Sequence, residues 1–162
     1  MEVVVFIGIP GAGKSSFFRQ RFACSHVHVS KDLMRNVRNK NARQLGLIRA
    51  ALQGGESVVV DNTNPRREDR TPLIAMAREF GAHAIGYFFD APLEECIRRN
   101  AHRHGRARVP NVAIYVAASR LEPPTYDEGF DRLHRVRLHE REFVVHAVPH
   151  RSRPAHSPNH RR

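Results

Sequence analysis

The chain has 162 residues, with 27 Lys plus Arg against 16 Asp plus Glu and a formal charge of +11. That length suits one domain, and 41% hydrophobic residues supply one core, which excludes a wholly disordered chain. No apolar run approaches the ~18 residues of a membrane helix, and two cysteines, Cys24 and Cys96, are too few for a disulfide framework.

Glu2 stands where a secretory signal would carry a basic residue, so the expectation is a cytoplasmic domain with no membrane partner. The excess of cations points to polyanions, because neutralising phosphates releases their counterions. Only three of the 27 cations are lysine, and arginine favours planar, bidentate phosphate contacts, although a GC-rich genome produces the same bias.

Val3–Gly8 is a continuous apolar run, the pattern of a central strand covered on both faces. It leads into Gly8-Ile9-Pro10-Gly11-Ala12-Gly13-Lys14-Ser15, which fits G-x-x-x-x-G-K-[ST] without substitution. Glycines there let backbone N–H groups curl around a nucleotide's phosphates beside a helix N-terminus. Gly8, Pro10, Gly11, Ala12, Gly13, Lys14, Ser15 and Ser16 are therefore the expected nucleotide contacts. Lys14 would reach the β- and γ-phosphates and Ser15 would ligate Mg²⁺. A helix over Lys14–Phe22 follows, then a short alternating strand, His26–Ser30. On that strand His26 and His28 share a face with Cys24; a metal would need a fourth ligand, and ordinary strand side chains explain the trio more simply.

In parallel sheets ligands collect at the carboxyl ends of strands, which draws attention to Ser30-Lys31-Asp32-Leu33-Met34-Arg35. Asp32 would face a γ-phosphate and take the proton of an attacking hydroxyl. Arg35, three residues on and on the same helix face, would hold a phosphate of the acceptor. Helix capping by Ser30 or Asp32, with Arg35 solvated, accounts for the same pattern. Arg43–Leu52 is a helix with Leu45, Ile48 and Leu52 on one stripe. Ser57–Asp61 is the third strand, and Asp61 after three valines has the position of a Walker B acid that holds Mg²⁺ directly or through water. Asn64-Pro65 reads as a helix start, with Asn as N-cap and Pro at N1. The helix itself is Arg67–Phe80, with Pro72 near its first turn or at a kink.

Ala84–Phe89 is the fourth strand, and a helix from Pro92 runs into residues 98–108, which hold five arginines, two histidines and no acid. Arg99 and Arg103 are four apart and would project together. With Gly105 and Pro110 as breaks, the segment reads as a lid whose arginines offset charge on a moving phosphoryl group; surface electrostatics is the alternative. Val112–Leu121 is a further helix, Leu133–Arg137 a fifth strand nearer an edge, and Phe143–Val148 a candidate sixth. Residues 149–162 hold four arginines, three histidines and three prolines without an acid, and read as a flexible basic tail. The expected architecture is α/β over residues 1–148, about five mainly parallel strands flanked by helices.

Taken together, GIPGAGKSS, VSKDLMR, VVVDNTNP, RRNAHRHGRARVP and EPPTYDEGF resemble the 5′-polynucleotide kinases, over about residues 3–138. The resemblance implies a P-loop kinase fold, ATP and Mg²⁺, and DNA or RNA 5′-hydroxyl ends as acceptors. It also implies Asp32 as general base, Arg35 on the phosphate next to the accepting nucleoside, and Arg99 and Arg103 as lid arginines on the donor phosphates. The lid is shorter and richer in arginine than in that family, so Arg106 and Arg108 share the candidacy. No D-x-D-G-T phosphatase signature, ligase segment or phosphopeptide-binding module is present, so phosphatase or ligase partners would be separate chains. Two other readings stay open: a kinase of a small alcohol or nucleoside, and an ATP-dependent nucleic-acid-binding module without catalysis.

Overall fold

The computed structural model describes residues 1–150, and the expected tail lies outside the described residues from 151 onward. Six strands, the candidate sixth among them, form one sheet in the order β2-β3-β1-β4-β5-β6. They are β1 (Glu2–Ile7), β2 (His26–Val29), β3 (Ser57–Val60), β4 (His83–Phe89), β5 (Arg132–His139) and β6 (Glu142–Ala147). The first five run parallel, and β6 returns antiparallel to β5. The added strand depends on a two-residue turn, Glu140-Arg141, with both residues at positive φ (46° and 70°). Such turns match the twist of a hairpin but are usually marked by Asn or Gly, so the sequence carried no turn signal here.

The helices are α1 (Lys14–Arg21), α2 (Lys40–Gln53), α3 (Arg67–Glu79), α4 (Leu93–Ala101) and α5 (Asn111–Arg120). Alternation along β1 divides the core in two. Val3, Val5 and Ile7 pack with Ile48 of α2 and with Leu73 and Ala77 of α3. Val4 and Phe6 pack on the opposite face with Phe17 of α1, Cys96 of α4 and Ile114 of α5. All five β1 residues from Val3 to Ile7 are fully buried, as a central strand requires.

Two expectations about α3 are corrected. Its first residue is Arg67, and Asn64 is not its N-cap: the Asp69 carboxylate accepts the Arg66 backbone N–H at 3.0 Å. Asn64, at φ 41°, instead donates its amide to the Phe6 carbonyl at 2.8 Å, where the β1 ladder runs out. Pro72 stands past the first turn of an unbroken α3, on its solvent side, where water can serve the carbonyl it leaves free.

The EPPTYDEGF stretch is a staple. Glu128 forms a two-pronged ion pair with Arg70 of α3, both contacts at 2.7 Å, and Arg70 is fully buried. Arg70 also donates to the Asn64, Pro65 and Glu122 carbonyls at 3.0–3.2 Å. The Tyr126 hydroxyl accepts the Leu133 N–H at 3.2 Å and donates to the Val148 carbonyl at 2.7 Å. The chain after α5 is thereby tied both to α3 and to the β5–β6 wing.

Candidate active site

The carboxyl ends of the parallel strands open into one cleft of about 1330 Å³. Its floor is the loop between β1 and α1, which crosses over with Gly11 and Gly13 at φ 86° and 96°. Gly11 admits no other residue: a Cβ there would lie 2.5 Å from the Cys96 carbonyl oxygen, so the loop rests directly on the backbone of α4. Pro10, Gly11, Gly13, Lys14, Ser15 and Ser16 line the cleft. Gly8 and Ala12 shape the loop from beneath, with the Gly8 N–H bonded to the Thr63 carbonyl at 3.0 Å and Ala12 buried.

Lys14 is buried, and its ammonium donates to the Gly8 and Ile9 carbonyls, both at 2.8 Å. Burial lowers its pKa to about 8, with Asp61 pulling the other way. One hydroxyl away, Ser15 Oγ donates to Asp61 Oδ2 at 2.8 Å, across 46 residues of sequence. Asp61 is 4% exposed and follows the end of β3, where its N–H extends the β2–β3 ladder by bonding the Val29 carbonyl at 2.8 Å. A hydroxyl and a carboxylate so placed are the oxygen donors that a hard divalent cation takes.

His28 was not an expected site residue, yet its Nε2 lies 2.9 Å from the same Asp61 oxygen, and its ring stacks on Phe18 at 3.8 Å. His26 turns instead to Glu2 and Ser25, at 2.8 Å each, and Cys24 is exposed. Among the described residues no group of three or more His, Cys, Asp or Glu could hold a metal, so the Cys24-His26-His28 trio is not one.

Asp32 and Arg35 both line the cleft, but not on one helix face. Lys31–Leu33 is a single 3-10 turn, capped by Ser30, whose Oγ accepts the Asp32 N–H at 3.3 Å; Met34 is already extended. Burial of Met34 in the core ends the turn and throws Arg35 outward on a separate stretch of chain.

The expected pair of lid arginines separates. Arg103 lines the cleft with Arg106, whereas Arg99 and Arg108 do not. Arg99 is spent on Glu95 at 2.7 Å and on the Gly11 carbonyl at 3.2 Å, so it braces the phosphate loop from α4. The arginine-rich loop is closed at its base by Asn100, which is fully buried and exchanges bonds of 2.7 and 3.0 Å with the Val109 backbone. Nothing in the local spacing marks Asn100 or Arg70 for these roles, because both partners lie outside their own helices.

The chain is similar to known proteins in sequence and in fold. A bifunctional polynucleotide phosphatase/kinase of Schizosaccharomyces pombe is 29% identical over 139 residues, 83% of this chain and 33% of that protein. A putative bifunctional polynucleotide phosphatase/kinase of Acanthamoeba polyphaga mimivirus is 30% identical over 142 residues, again 83% and 33%. The chain thus spans about a third of the length of these curated relatives, and they match the resemblance read from its motifs. Among solved structures, Kti12 of Chaetomium thermophilum in complex with ADP-AlF3 shares the fold, with a TM-score of 0.63 at 16% identity over 82% of this chain and 87% of that one. Among the described residues no helix is long and apolar enough to cross a membrane. The family model described as AAA domain matches residues 3–124, from β1 through the phosphate loop and past α5, and the chain belongs to that family of P-loop proteins.

Proposed function

We propose that this protein transfers the γ-phosphoryl group of ATP to the 5′-hydroxyl of a DNA or RNA end. The observation that carries the reading is the lining of one cleft by a phosphate loop with Lys14, by the Ser15–Asp61 pair, and by an exposed carboxylate, Asp32, and Arg35. Lys14 and the loop N–H groups bind the β- and γ-phosphates. Ser15 and, directly or through water, Asp61 would hold Mg²⁺, which would neutralise charge on the donor phosphates when bound. Asp32 accepts the proton of the 5′-hydroxyl as that oxygen bonds to the γ-phosphorus, and the bond to the bridging β–γ oxygen breaks to release ADP. Arg35 holds the acceptor's neighbouring phosphate, and Arg103, with Arg106, offsets charge on the transferring group. Arg99 acts in this reading by holding the loop at Gly11. The division into a catalytic domain, 1–148, and a basic segment, 149–162, and a cytoplasmic setting belong to the same reading.

The test incubates the protein with Mg²⁺, γ-labelled ATP and a 5′-hydroxyl oligonucleotide, beside its 5′-phosphorylated copy and a nucleoside mixture. Label on the 5′-hydroxyl strand alone is expected, and Asp32→Asn is expected to lower transfer by about 10²–10⁴-fold with ATP affinity kept. Label on nucleosides alone would make the acceptor a small alcohol; salt-sensitive oligonucleotide binding without transfer would make the protein a binding module.

A further inference from the structure

The turn that carries Asp32 is too short to hold itself. It is one 3-10 turn, Lys31–Leu33, followed directly by extended chain. Its register with the phosphate loop must come from outside, since a misplacement of about 1 Å in a reacting group can cost on the order of 10²-fold in rate. The β2–β3 ladder ends at the Asp61 N–H and the Val29 carbonyl. Past that point the two chains are joined by a side chain. Asn62 Oδ1 accepts the Lys31 backbone N–H at 2.9 Å, one residue before Asp32.

The Asn62 amide is fixed in turn at its other end. Its Nδ2 donates to Gln44 Oε1 of α2 at 2.6 Å. Gln44 is 5% exposed and does not line the cleft, so it reaches neither donor nor acceptor. A backbone N–H can only donate, which orients Oδ1 toward Lys31 and leaves Nδ2 for Gln44, so the chain of bonds has one direction. With Ser30 Oγ holding the Asp32 N–H, both leading N–H groups of the turn are bound by side chains, while the Asp32 carboxylate stays exposed at the cleft.

We infer that Asn62 and Gln44 are positioning residues for transfer: the relay Gln44–Asn62–Lys31 hangs the Asp32 turn from the same strand end that supplies Asp61, so base and metal-side carboxylate keep one geometry. The inference rests on Asp32 being the general base of the proposed reaction. A part-buried polar relay of this kind, with Gln44 at its buried end, costs stability if half-made, which is a reason for both amides to be present together.

A double-mutant cycle tests it, with folding checked by circular dichroism. Asn62→Ala is expected to lower kcat for a 5′-hydroxyl oligonucleotide about tenfold, with KM for ATP within about twofold. In the Asp32→Asn background, under single-turnover conditions, the same substitution is expected to cost nothing further, because the group it positions is gone. Equal losses in both backgrounds, or no loss in the parent protein, would overturn the relay. Gln44→Met is the second variant, for use if Asn62→Ala does not fold. It touches no substrate, so a fall of about fivefold in kcat at unchanged ATP affinity supports the relay, and an unchanged kcat refutes it. Full activity of Asp32→Asn alone would instead remove the base itself, a result separate from additivity in the cycle.

Discussion

Lys14 shows at the scale of one residue how a site is held ready at a cost to the fold. Its ammonium lies in a buried position, satisfied by two carbonyls of its own loop rather than by a full counter-charge, and burial takes its pKa from 10.5 to about 8. A displacement of that size corresponds to stability on the order of 3 kcal/mol withheld while the group is charged. Lys14→Met is therefore expected to abolish protection by ATP in thermal unfolding while leaving the ligand-free midpoint at pH 7 no lower than the parent's. The sign of the pH effect follows from proton counting. Between about pH 8 and 10.5 the folded chain has released this proton and the unfolded chain still holds it, so the parent protein gains stability on the variant as pH rises. Parallel stability curves across that window would show the ammonium to be no burden.

At the scale of elements, the molecule depends on joints between segments far apart in sequence. Arg70 and Glu128, with side chains 0% and 3% exposed, lock α3 to the segment between α5 and β5. Asn64 and Pro65, which follow shortly after Asp61, hang on the same guanidinium. Arg70→Met leaves a buried carboxylate without its cation and is expected to cost about 3–5 kcal/mol in urea denaturation, with Glu128→Gln added in the same chain recovering part of the loss. A double variant no more stable than Arg70→Met would show that the carbonyl contacts of Arg70, not the ion pair, hold the joint. EPPTYDEGF is legible in the sequence as a motif, but its work is structural: none of its residues lines the cleft.

For the whole molecule the decisive property is where the charge lies. The net +11 is spread along the chain, yet the cleft gathers ten Lys or Arg against four Asp or Glu. Only part of that set is needed for a nucleotide's phosphates; Arg35, Arg38, Lys40 and Arg66 line the same cleft outside the phosphate loop, a surplus that under the proposed function suits an acceptor with several phosphates. The expected signature is a KM for a 5′-hydroxyl oligonucleotide that climbs steeply between about 50 and about 200 mM salt, with a log–log slope of roughly 0.7 per phosphate contacted. A salt-independent KM would point to a small, uncharged acceptor.

What the sequence determined by itself was local. The apolar run of β1, the glycines and Lys14-Ser15 of the loop, and the carboxylates at the ends of β2 and β3 could be read because strand period, loop chemistry and strand-end position all lie within a few neighbours. The tertiary structure decided partners. It gave Arg99 to the Gly11 carbonyl and left Arg103 in the cleft, although helical spacing treats the two alike. It set Asn64 on Phe6, His28 on Asp61, and Asn62 between Lys31 and Gln44, contacts that span 18 to 58 residues. A side chain's type limits which bonds it can make. Which bond it does make depends on the strand ends and helix faces that the folded sheet brings beside it, and no stretch of neighbouring residues encodes that.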